Sequence, residues 1–228
     1  GVKTGRPMTV DPQEPRQVAL AVQRLNLRYV VVTSVARDDL ADEGASQFVQ
    51  TIHAIRSVMP QTKIEVLIPD FSNKPQCLEQ LVAARPEVIS HNMETVRRLS
   101  CDVRPQADYE RSLAVLANLK KFAPSAFIKS GFMVGLGETD AEITALMRDL
   151  VAVGCDMLTI GQYLAPGRKK RYLRVQRFVR PEEFEHYKTI GLKIGFKHVM
   201  SGPLVRSSYI AEEGYRECFG KNTVGHDS

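Results

Sequence analysis

Tryptophan is missing from the sequence altogether, and aromatic residues make up only 7% of it. A base-stacking platform for single-stranded nucleic acid needs aromatics in number, so no nucleic-acid partner is expected. Cysteine is scarce: Cys77, Cys101, Cys155 and Cys218 lie far apart and form no CxxC pair. That spacing fits neither a zinc site nor the disulfide framework of a small secreted domain, and it suits a reducing compartment. No apolar run approaches the ~20 residues that cross a bilayer, so no membrane span is expected. No signal peptide follows Gly1. A P-loop, a nucleophile elbow and an HExxH helix are also lacking, which removes three common routes to phosphate, ester and zinc-protease chemistry.

What is present is a soluble-protein balance of 43% hydrophobic and 25% charged residues over 228 positions, with a net charge of +5. Much of the excess lies in Arg168, Lys169, Lys170, Arg171, Arg174, Arg177 and Arg180. Such a run reads either as a solvated loop or as a docking surface for an acidic protein. Short runs rich in Val, Ile and Leu predict strands at 28–34, 63–69, 87–92, 126–134, 156–162 and 197–202. Between them, apolar residues recur at helical spacing, as in Phe48, Ile52, Ile55 and Met59, or Ile143, Leu146, Met147 and Leu150. Asp11 is placed to cap a helix with Pro12 at its first position and Glu14 completing a capping box. Thr139 and Glu142 make a second box, Gly154 ends that helix, and Pro181 opens another that closes near Gly195. The order predicts an α/β chain on a parallel sheet, curled or closed, whose first element is a helix with no strand before it. Residues 1–219 read as one barrel-like unit and 220–228 as a polar, frayed tail.

Active sites of such folds form at the C-terminal ends of the strands. The polar residues there are Thr33, Ser34, Arg37, Asp38 and Asp39; His91, Asn92 and Glu94; Lys129, Ser130, Gly131, Gly135, Gly137 and Glu138; Gly161, Gln162 and Tyr163; and Arg206, Ser207, Ser208 and Tyr209. Each has a plainer reading. Asp38 and Asp39 can solvate a turn, Gly135 and Gly137 can serve a strand-to-helix turn, and Asn92 and Glu94 can cap a short helix. His91 can be a satisfied core histidine, Cys155 a small buried apolar residue, and the serine pair ordinary loop hydroxyls.

Taken together, the strings VKTGRP (2–7), VVTSVARDDL (31–40), IEVLIPDF (64–71), HNMETV (91–96), VRPQADYERSL (103–113), KSGFMVGLGET (129–139), LTIGQYLAP (158–166), GFKHVMSGP (195–203) and VRSSY (205–209) resemble the lipoyl synthases in order and spacing. The resemblance implies a partial (β/α)6 TIM-like radical S-adenosylmethionine (SAM) barrel lacking its first strand in this chain. The implied reaction inserts sulfur at C6 and C8 of a protein-bound octanoyl chain. It also implies two cofactor types, SAM and two 4Fe-4S clusters. One cluster, on a CxxxCxxC loop, cleaves SAM to a 5′-deoxyadenosyl radical; the other is consumed as the sulfur source. Partners implied are an octanoylated lipoyl carrier domain, of a 2-oxo acid dehydrogenase or the glycine cleavage system, and an electron donor such as ferredoxin or flavodoxin. The compartment would be the cytoplasm, or a mitochondrial or plastid matrix.

Through the same resemblance Asn92 and Glu94 become partners for the SAM ribose, and Thr33 and Ser34 reach its methionyl end. Lys129 pairs with the SAM carboxylate. Gly131, Gly135 and Glu138 match a GxIxGxxE pattern with Met133 at the isoleucine place, and Gln162 offers main-chain contacts. Ser208, or Ser207, completes the auxiliary cluster beside Arg206. The chain departs from the family in lacking the cluster cysteines, in the segment 100–102, in Ile210 where histidine is usual, and in a heavier basic run. The expectation is therefore that residues 1–228 alone hold almost no cluster and cleave no SAM, and that β-edge pairing at the first strand is left open. Two other classes compete: a non-redox aldolase or isomerase barrel using Lys129, and a carrier-binding module without catalysis.

Overall fold

A computed structural model describes residues 7–167, 172–208 and 211–223, with side chains to 219 in the last stretch. Helix α1 (Glu14–Arg24) comes first, followed by β1 (Tyr29–Thr33), α2 (Ala45–Val58), β2 (Lys63–Leu67), α3 (Pro75–Ala83) and β3 (Val88–Ser90). The short α4 (Ser100–Val103) and then α5 (Tyr109–Phe122), β4 (Phe127–Val134), α6 (Asp140–Ala152), β5 (Met157–Gln162), α7 (Pro181–Ile194), β6 (His198–Gly202) and α8 (Ala211–Thr223) complete it. All six strands are parallel and pair in sequence order, the singly wound arrangement of a barrel rather than of a doubly wound sheet. Among the described residues no helix is long and apolar enough to cross a membrane.

Period-two alternation divides the strands into two faces. Ile64, Val66, Ile89, Ile128, Leu158, Ile160 and Val199 point outward and pack under the helices in one large core with Ile52, Leu116, Leu146 and Phe184. The inward face is layered. At the N-terminal ends of the strands, Tyr29, Val88, Phe127 and Met157 close around Tyr215 and Cys218 of α8. Above them lies a polar layer of Glu65, Ser90 and Lys129 joined by hydrogen bonds. At the C-terminal ends, Leu67, Asn92, Gly131, Thr159 and Gly161 line an open cavity.

Local expectations hold in the middle of the chain. Thr139 and Glu142 form the reciprocal capping box of α6, and α7 runs from Pro181 to a Gly195 cap. Gly135 and Gly137 take φ values of +103° and +101° in the turn between β4 and α6, where a side chain would be strained. One expectation is corrected. Asp11 does not cap a helix starting at Pro12: Oδ1 accepts from the Gln13 amide at 2.8 Å in a preceding turn, and α1 begins at Glu14 with Pro15 in its first turn. Pro15 supplies a preset φ without needing a donor, so it displaces Pro12 as the opening proline. Helix α8 continues through Thr223, and Tyr215 packs on Tyr29 and Phe127 with ring centroids 5.9 Å away in both cases. With His198 Nδ1 also 2.9 Å from Glu217 Oε2, α8 lies against the starts of both β1 and β6.

Candidate functional site

The cavity at the C-terminal ends of the strands has a volume of about 430 Å³ and is bordered by residues from β2 to β5 and by the segment after β6. A larger groove of about 540 Å³ opens at the opposite end, among Phe122, Phe127, Tyr215 and Phe219. The smaller one is the candidate site, because the loops and convergent polar groups of an α/β barrel gather at the C-terminal end.

Four expected groups meet there: Asn92, Glu94, Gly131 and the Arg206–Ser207 pair all line the cavity. Past β3, the amides of Met93 and Glu94 donate to the Gly131 carbonyl at 3.0 and 3.1 Å, and the Met133 amide returns a bond to Glu94 at 2.9 Å. The loop is thus an extension of the sheet. Glu94 has φ +65°, a left-handed conformation that costs a non-glycine residue roughly 1–2 kcal/mol. Asn92 Nδ2 donates to Glu94 Oε1 at 3.1 Å, and Arg104 holds the Asn92 carbonyl at 2.8 Å. Asn92 Oδ1 is buried without a hydrogen-bond partner. A Cβ on Gly131 would sit 3.1 Å from that oxygen and run into Thr159 Oγ1, so only glycine leaves the wall open there.

Other expected residues are placed differently. Lys129 is 2% exposed inside the barrel; its ammonium lies 2.8 Å from Glu65 Oε1 and donates to the Ser207 carbonyl at 2.6 Å. It is therefore engaged below the cavity, between a carboxylate and a main-chain carbonyl. Glu138 faces the backbone: its two oxygens accept from the Gly135 amide at 2.5 Å and the Leu136 amide at 2.9 Å. Arg98 ties the same turn to α6 through the Gly137 carbonyl and Glu142. Gln162 borders the cavity, and its side chain donates to the carbonyls of Tyr163 and Arg177 and accepts from the Val179 amide. Thr33 Oγ1 donates to the Leu67 carbonyl at 3.1 Å, and Thr33 and Ser34 sit exposed on the rim. Ser208 is exposed and is not among the lining residues.

The plainer readings hold for several residues. His91 is buried, with Nδ1 3.1 Å from the Ile68 carbonyl and Nε2 3.1 Å from Ser112 Oγ; burial pushes its pKa down to about 4. Cys155 is buried and its thiol is pushed up by desolvation. Asp39 pairs with Arg37. In the basic run, Arg177 and Arg180 both engage Glu183, which reduces its free charge, while Arg174 is exposed. The positions 168–171, the VKTGRP string up to Arg6, and Tyr209 and Ile210 lie outside the described residues. Sequence reasoning missed Leu67, Thr159 and Val205 as lining residues, and Glu65 beneath them; the signal for Glu65 was a lone carboxylate in the apolar strand IEVLI.

The model of the Radical SAM superfamily matches residues 2–150. The lipoyl synthase of Caldicellulosiruptor saccharolyticus is 55% identical over 212 residues, covering 93% of this chain and 74% of that protein. That of Flavobacterium psychrophilum is 52% identical over 213 residues, covering 93% and 72%. Among solved structures, HydG, a maturase of the FeFe-hydrogenase, superposes with a TM-score of 0.68 at 13% identity, covering 94% of this chain and 49% of that one. SuiB of Streptococcus suis bound to S-adenosylmethionine gives 0.65 at 8% identity, covering 91% and 47%. At such identities the likeness is one of fold.

Proposed function

The chain belongs to the lipoyl synthases of the Radical SAM superfamily, sulfur-inserting enzymes, and we propose that the cavity at the C-terminal ends of its strands is the place where SAM and the octanoyl chain meet. The observation that carries this is the partnerless Asn92 oxygen set against a glycine wall. A buried amide oxygen left without a donor is costly, and a ligand hydroxyl or ammonium supplies what it lacks.

The donor set fits SAM. Asn92 and Glu94 present an amide and a carboxylate to hydroxyls or an ammonium. Gly131 lets a flat ring approach the main chain, and Leu67, Met133 and Leu164 give the cavity an apolar wall. Glu138 and Gln162 hold the loops on either side in place through the backbone bonds described above. The strained φ of Glu94 is fixed by its sheet bonds, so its carboxylate needs little reorganisation on binding.

The iron–sulfur part fits less completely. Among the described residues no group of three His, Cys, Asp or Glu could hold a metal ion, and Cys77, Cys155 and Cys218 are buried separately. No thiolate set is therefore assigned to them. In our reading two 4Fe-4S clusters serve the reaction, and the serine pair Ser207 and Ser208 offers a hydroxyl to the auxiliary one. When bound, SAM and its cluster supply hydrogen-atom abstraction from an unactivated C–H bond. The octanoyl chain arrives on a lipoyl carrier domain, and a ferredoxin or flavodoxin provides electrons.

Calorimetric titration of SAM into Glu94→Ala and Asn92→Ala variants of the full-length enzyme tests the assignment. Loss of a hydrogen bond to a charged or buried group predicts about tenfold weaker binding. Unchanged affinity in both variants would remove these residues from the SAM site.

A further inference from the structure

The polar layer beneath the cavity contains an ion pair that the SAM reading leaves unused. Glu65 on β2 is fully buried and Lys129 on β4 is 2% exposed. Glu65 Oε1 accepts from Lys129 Nζ and from Ser90 Oγ, both at 2.8 Å, and Oε2 accepts from Tyr29 OH at 2.7 Å. Removing two charges from water is expensive, and an apolar pair of similar volume is often at least as stable. A use other than stability is therefore to be sought in what the pair holds.

It holds the segment that leaves β6. The Val205 amide bonds to the Gly202 carbonyl at 3.1 Å, and the Val205 carbonyl presses on Gly161, where a Cβ would collide with it. Beyond that point the main chain is anchored by Lys129, whose ammonium reaches the Ser207 carbonyl at 2.6 Å. Ser207 lines the cavity directly above. An ammonium suits the task, being a compact charge with three donors on a flexible stem. Tyr29 and Ser90 keep the carboxylate from turning, so the ammonium is held from below and the carbonyl from within.

We propose that Lys129 is a positioning residue: the Glu65-held ammonium fixes the Ser207 carbonyl and so sets where the Ser207 and Ser208 hydroxyls stand relative to the cavity. What those hydroxyls do rests on the proposed function; the strut itself does not. The barrel interior thereby fixes a segment far away in sequence without a direct bond to either hydroxyl.

Lys129→Met alone leaves a buried carboxylate without its cation and endangers folding, so the informative protein is the Glu65→Gln, Lys129→Met double variant of the full-length enzyme. It keeps the volume and removes both charges. Hydrogen exchange read by mass spectrometry should find the amides of 204–208 exchanging roughly tenfold to a hundredfold faster than in the parent, the equivalent of losing one charge-assisted hydrogen bond. Melting temperature and SAM affinity should stay close to the parent values, while kcat for sulfur insertion falls and KM for the octanoyl substrate holds. Parental protection of 204–208 in the double variant, or a released segment with undiminished kcat, would overturn the inference. The exchange measurement reports on the strut whether or not the cavity binds SAM, and SAM calorimetry on Glu94→Ala judges the cavity separately.

Discussion

Replacing Glu138 by Gln separates two roles that its position in the sequence leaves mixed. As a ligand-facing carboxylate it would govern SAM affinity; as a turn-holding carboxylate it governs stability. The structure gives it two backbone partners, the amides of Gly135 and Leu136, at a residue only 6% exposed. Glutamine keeps one acceptor and turns an NH2 toward the other amide, so one bond is lost and the surviving one is no longer charge-assisted. At about 1.5–3 kcal/mol for a hydrogen bond to a charged group, the net cost is roughly 3 kcal/mol. In a domain of this size each kcal/mol lowers the melting temperature by about 2–4 °C, so Glu138→Gln should melt about 6–12 °C lower. The loosening should spread to the segment facing the turn, because the Gly135 carbonyl accepts from the Gln176 amide at 2.8 Å. Differential scanning calorimetry with and without SAM is the assay. A large drop in SAM affinity with an unmoved melting temperature would refute the reasoning and return Glu138 to the ligand.

Two further outcomes follow from charge. His91 has a folded-state pKa near 4 against an ordinary value of 6.5, because burial disfavours its cation, so below pH 6.5 the unfolded chain binds a proton that the folded one does not. Stability should therefore fall between pH 6.5 and 4 and level off below, by about 3 kcal/mol in all; urea melts of His91→Gln that show the same decline would exclude His91 as its source. Reversing Arg168, Lys169 and Lys170 to Glu should slow association with an acidic carrier domain and flatten its salt dependence, while turnover of a short octanoyl-lysine peptide is unchanged. An equal fall on both substrates would show that the run is not a docking surface.

The sequence alone determined the order of elements from α1 to β6, because that order is written in local terms. Val, Ile and Leu crowd both faces of short runs, Thr139 and Glu142 cap a helix three residues apart, and Gly135 and Gly137 mark a turn that needs positive φ. It also placed Asn92, Glu94, Gly131 and Ser207 at ends of strands or just past one, where a barrel gathers its chemistry. Alternation cannot say what stands opposite a residue or at what depth. Lys129, Glu138 and Gln162 looked equivalent to Asn92 and Glu94, as polar residues near strand ends. Their partners decide otherwise: Lys129 meets a carboxylate 64 residues away and a carbonyl 78 residues away, Gln162 grips a carbonyl 15 residues on, and Glu138 folds back on its own turn. Helix α8 was hidden for a related reason, since Tyr215 gains its burial from strand starts at Tyr29, Phe127 and Met157 rather than from its neighbours. Which polar groups satisfy one another, and which are left open to a ligand, depends on the curling of the sheet, and only the tertiary structure decides it.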